Sequence, residues 1–136
     1  ENDFVIDSDI EKLNNLNSIR QSLSDKIFDE CLEKLKTSPN KNGIFLFDET
    51  WHIGIIGLVA SRLAEKFSKP VFLATLDKNN TARCSIRGQE NYDIYEILNK
   101  NSDLFLNYGG HKLAGGFSFD INKINFKVSY QKLFRK

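Results

Sequence analysis

The residues best suited to chemistry are the chain's only two histidines, and both are set among glycines. His111 stands in Gly109-Gly110-His111-Lys112-Leu113-Ala114-Gly115-Gly116-Phe117, and His52 in Trp51-His52-Ile53-Gly54-Ile55-Ile56-Gly57. Paired glycines admit backbone conformations closed to other residues and let another molecule approach the main chain. A histidine delivered from such a turn offers a nitrogen donor, or a proton that titrates near neutrality. The combination points to an anionic ligand. One glycine suffices to end a helix, so two glycines, a histidine and then Gly115-Gly116 favour function over simple helix termination.

A second group is Arg83, Ser85 and Arg87, which share one face of an alternating segment if Ile86 faces the core. A hydroxyl beside a guanidinium suits a phosphate, which arginine grips through its planar fork. The competing reading is a solvated outer face. Gly54 opens a helix whose first amide groups favour phosphate or carboxylate; alternatively, Gly54 and Gly57 only let helix and sheet approach closely. Trp51, the single tryptophan, either stacks on a base or fills the core. His52 either bonds a phosphate or fixes its own loop. Ser61 and Arg62 read as exposed helix surface.

Elements to position these residues follow from the apolar spacing. Ile10, Leu13, Leu16, Ile19, Leu23, Ile27, Cys31 and Leu35 recur at helical intervals, predicting one long helix over residues 8–36 with a capping box at Ser8 and Glu11. Pro39 and Asn42-Gly43 end it. Strands are predicted at 44–47, 71–76, 81–87 and 116–120, and helices at 54–67, 93–100 and 125–136, with a short one from Ser102, although residues 124–130 also alternate like a strand. The Asp77–Asn80 turn makes a hairpin. Strands alternating with helices give an α/β fold: a mixed, mainly parallel sheet of about five strands, flanked by helices and preceded by the long helix.

Composition sets bounds. The chain has 136 residues, enough for one core, and a net charge of +1, so no global basic field advertises nucleic acid. Lys123, Lys127, Lys132, Arg135 and Lys136 form a local basic tail without acids, read as a solvated face. Cys31 and Cys84 are too few for a zinc site and read as reduced thiols of a cytoplasmic protein. No run is apolar enough for a membrane span, and no signal peptide opens the chain. The first residue is Glu1 and methionine is absent, which leads us to expect a domain of a longer protein.

Three segments together resemble the DHH-associated domain of the RecJ-type single-strand-specific exonucleases, in the right order over about residues 44–120. They are Trp51-His52-x-Gly54-Ile55-Ile56-Gly57-Leu58-Val59-Ala60-Ser61-Arg62-Leu63, Ser85-x-Arg87, and Gly109-Gly110-His111-x-x-Ala114-x-Gly116-Phe117. The first is specific to the RecJ branch, and the third is shared more widely among DHH phosphoesterases. The resemblance implies a parent enzyme that degrades single-stranded DNA from its 5′ end, in DNA repair and recombination. It implies manganese or magnesium held by a preceding DHH domain, because this chain has no Asp-His-His run and two histidines cannot rebuild a two-metal site. Residues 1–42 would then be the connector helix and 43–136 the substrate-binding domain.

The resemblance further implies that Ser85 and Arg87 hold backbone phosphate and that Trp51, His52, Gly54, Gly109 and Gly110 line the substrate. His111 would be the catalytic residue, facing the scissile phosphate. Two departures stand out: Gly88 replaces a common serine, and Gly115 a usual alanine. The alternatives are half of a phosphoesterase for short oligonucleotides, or a noncatalytic nucleic-acid-binding module like the related domain that ends alanyl-tRNA synthetases.

Overall fold

In a computed structural model of the chain, residues 2–37 and 42–122 are described. The helical periodicity of the first segment produces α1, Asn2–Thr37. It begins ahead of Ser8, so the expected capping box lies inside the helix rather than at its start. Its second half is held. Leu23, Ile27, Phe28, Cys31, Leu32 and Leu35 pack on the domain, while Ile10, Leu13, Leu16 and Ile19 remain half exposed or more.

The chain continues as β1 (Ile44–Phe47), α2 (Ile53–Phe67), β2 (Val71–Leu76), β3 (Ala82–Arg87), α3 (Ile94–Lys100), a 3-10 turn (Ser102–Leu104), β4 (Asn107–Gly110) and β5 (Ala114–Phe119). The sheet order is β1-β2-β3-β5-β4. β1 and β2 are parallel and need a crossover, which α2 provides. The three other pairings are antiparallel. The sheet is therefore mixed with five strands as expected, but the expectation that it is mainly parallel is corrected. Two hairpins, through residues 77–81 and 111–113, reverse the chain where crossovers would have been needed. Gly109 and Gly110 are also not in the turn itself. They end β4, and the turn is His111 to Leu113.

Each face of the sheet has its own core. Ile44, Leu46, Val71 and Leu73 meet α2, α1 and Trp51 on one side. Phe72, Ala74, Cys84, Ile86, Phe117 and Phe119 meet Ile94 and Leu98 of α3 on the other. Cys31 and Cys84 are free and buried in different cores; burial pushes the Cys31 thiol up to about 12 and the Cys84 thiol up as well. No described helix is long and apolar enough to cross a membrane. The terminal helix expected at 125–136, the basic tail and Pro39 lie outside the described residues.

Candidate functional site

Antiparallel partners project to one face, so the register reads directly as a surface. One row runs Leu73, Ser85, Gly116, Gly109; the next runs Thr75, Arg83, Ser118, Asn107; a third runs Val71, Arg87, Ala114. Under α2 these rows are apolar and buried. Beyond β2 they turn small and polar, and Asn107 and Gly109 are exposed. The result is a shelf floored by β3, β5 and β4, with α2 as its wall. A groove of about 290 Å³ runs along it, where Ile53 and Ile56 face Arg83, Ser85, Asn107, Gly116 and Ser118.

Arg83 lines the groove, and Arg87 is a second cation on this face. Its Nε donates to Ser61 Oγ at 3.0 Å and its Nη1 to the Ile86 carbonyl at 2.8 Å. Among the described residues no carboxylate pairs with it, whereas Arg62 pairs with Asp25 and Arg83 with Asp77. Asp77 is the organiser of its hairpin. The Thr81 N–H first, then the Asn79 N–H and Arg83, hold its carboxyl below the ordinary value against a small cost of burial. Arg83 thus already has a carboxylate partner, and Arg87 is left to meet an external anion.

Ala114, the partner of Arg87, accepts the N–H of His111 at 2.8 Å. Register therefore brings Ser85, Arg87, Gly109 and His111 to one end of the sheet. His111 is exposed, and its Nδ1 takes only a long 3.4 Å bond from the Leu113 N–H. Nε2 is the ring nitrogen left for an outside group. Gly110 has φ +148°, and a Cβ there would stand 2.5 Å from the Ala114 carbonyl oxygen and the Gly115 Cα. At Gly109 a Cβ would meet nothing within 4 Å.

The first motif lies elsewhere. His52 caps α2, its Nδ1 accepting the Gly54 N–H at 3.2 Å. Both histidines thus accept from the amide two residues on. With Gly54 it borders a separate cavity of about 520 Å³ beside Asp77, Asn79 and Arg83. The Gly54 amide is already bonded, so it does not offer the anion-binding N–H expected of it. Trp51 is corrected outright. It is 4% exposed, its Nε1 donates to Glu30 at 2.7 Å, and its carbonyl accepts the Thr75 hydroxyl. It pins α1 to the sheet and has no face for a base.

Ser61 and Arg62 are not the plain surface expected. Ser61 holds Arg87, and Arg62 crosses to α1, bonding Ser24 and Asp25 over the Phe28 ring. Gly57 is a glycine because Arg87 lies over it: a Cβ would be 2.8 Å from Nη2. Of the two departures, Gly88 and Gly115 both accommodate α3. A Cβ at Gly88 would come 2.7 Å from Ile94, and one at Gly115 would be 3.0 Å from Leu98. Among the described residues no His, Cys, Asp and Glu group could hold a metal.

The family model for the DHHA1 domain matches residues 40–129. The single-stranded-DNA-specific exonuclease RecJ of Thermus thermophilus is 36% identical over 109 residues, which is 80% of this chain but 15% of that protein. A crystal structure of RecJ from Thermus thermophilus in complex with Mn2+ superimposes with a TM-score of 0.75 at 32% identity, covering 90% of this chain and 17% of that one. The C-Ala domain of Aquifex aeolicus alanyl-tRNA synthetase shares the fold at a TM-score of 0.56, with 12% identity over 69% of this chain and 93% of that domain.

Proposed function

Because the chain belongs to the DHHA1 domain family, in its RecJ-type branch, we propose that it is the substrate-binding part of a cytoplasmic 5′-to-3′ exonuclease acting on single-stranded DNA in repair and recombination. The chain spans 15% of the RecJ proteins of Thermus thermophilus and Bacillus subtilis. Catalytic manganese or magnesium belongs, on this reading, to a DHH domain that α1 joins to residues 43–136. The side chains described here supply no donor set for it. Their contribution is to hold the DNA backbone: Ser85 and Arg87 bind phosphate, Gly109 lets the strand approach, and His111 donates from Nε2 to the phosphate being cleaved. His52 and Gly54 border the neighbouring cavity, which shares Ile53 and Arg83 with the groove.

The observation that carries this reading is Arg87, a guanidinium fixed by two neutral acceptors on an open polar shelf, with no carboxylate paired to it among the described residues. Such a group suits an anion. Arg87→Ala in the full-length protein is expected to weaken single-strand binding equally for all base compositions. The slope of log affinity against log salt should fall by about one phosphate contact's worth, about 0.7 for single strands. Unchanged affinity, or a loss confined to one composition, would remove Arg87 from the interface. The 136-residue chain alone is expected to leave a 5′-labelled oligonucleotide intact in manganese. Metal-dependent release of mononucleotides by it would refute the division of labour.

A further inference from the structure

The mid-helix pair Gly57 and Ser61 lies one turn apart on the edge of α2 that faces β3. Ser61 Oγ donates its one hydrogen to the Gly57 carbonyl at 3.2 Å. Its lone pairs are what remain, and one of them takes the Arg87 Nε–H at 3.0 Å. Gly57 acts by what it lacks. The place of its missing Cβ is 2.8 Å from Arg87 Nη2, so a side chain there would displace the guanidinium, and 3.8 Å from Ser85 Oγ, an ordinary contact. A glycine inside a helix weakens it, and here the weakening has a local return.

Arg87 has five N–H donors. One goes to Ser61 and one to the Ile86 carbonyl, which leaves three in a fixed plane. We propose that Ser61 and Gly57 are positioning residues that set the Arg87 guanidinium before DNA arrives. This rests on the reading of Arg87 as a phosphate anchor and deepens it. A long arginine that must be immobilised on binding loses rotamer entropy, and one already held does not. Neutral acceptors suit the task, since a carboxylate in place of Ser61 would orient the guanidinium but also cancel its charge.

The test uses the full-length protein and oligothymidylate as the probe. Ser61→Ala should weaken binding roughly 2- to 12-fold, the entropy of one immobilised side chain. Ser61→Thr, which keeps the hydroxyl, should bind as the wild type does. In an Arg87→Ala background, Ser61→Ala should have no further effect, because the two residues act as one unit. Crystals of Ser61→Ala should show the guanidinium in several orientations over an unmoved β3. Equal losses in both backgrounds, or a guanidinium still fixed without the hydroxyl, would overturn the positioning role. A strong effect of Arg87→Ala beside a silent Ser61→Ala would overturn that role alone. Wild-type affinity in Arg87→Ala would instead overturn the anchor reading beneath it.

Discussion

His111→Ala in the full-length protein is expected to slow single-turnover cleavage of single-stranded DNA by about 10²–10³, the usual worth of one donor aimed at developing charge. Binding of uncleaved DNA should change far less, and the melting temperature should hardly move. The structural stake in this side chain is small. It is exposed and its one internal bond, from the Leu113 N–H, is 3.4 Å long, at the weak end of the range. The hairpin is closed instead by the main chain, through the bond from the His111 N–H to the Ala114 carbonyl, which alanine preserves. Single-turnover rates and thermal unfolding of the same variant decide the matter. A rate per folded molecule that holds while melting falls would make His111 a structural histidine.

Gly110→Ala and Gly109→Ala, neighbours in one strand, are expected to fail in opposite ways. At Gly110 the backbone conformation alone costs about 1–3 kcal/mol for any other residue. A Cβ 2.5 Å from two main-chain atoms of the partner strand adds to that, and backbone cannot rotate away. The domain should melt lower by about 4–8 °C for each kcal/mol lost, the scale for domains near 100 residues. At Gly109 an added methyl meets no protein atom within 4 Å, so melting should stay put while DNA binding suffers if the strand passes close over it. Calorimetry and affinity on the pair separate the roles. A stable Gly110→Ala would show that the strand end relaxes, and full affinity in Gly109→Ala would place the DNA away from it.

This pair also shows where reading the sequence fell short. The double glycine suggested function because no structural need for it was visible, yet Gly110 has such a need and only Gly109 lacks one. The need arises from a pairing across β4 and β5 that Asn107-Tyr108-Gly109-Gly110 does not announce, since Tyr108 is its only residue of a type that marks a strand. Where the pattern was strong the reading held. β2 and the start and end of α3 fall where buried runs and Asp93 put them, and alternation in β3 correctly set Arg83, Ser85 and Arg87 on one face. Ser61 was illegible because its partner lies 26 residues on, across a helix–strand contact. Trp51 misled because a loop tryptophan looks available until the helix that covers it is in place.

α1 carries a mechanical consequence. Its 36 residues span about 54 Å at the usual helical rise, but among the described side chains the domain grips it from Leu23 onward, with Arg62 clasping Ser24, Asp25 and Phe28 at the inner end of the grip. What precedes the grip is an arm of about 30 Å with its pivot at that clasp. A tilt of about 10° there sweeps the far end through about 5 Å, more than the length of any single bond that sets the angle. On the proposed reading, the aim of the shelf relative to a domain joined through the arm is therefore geared. Small changes in side-chain packing at the pivot become displacements on the scale of a nucleotide at the tip.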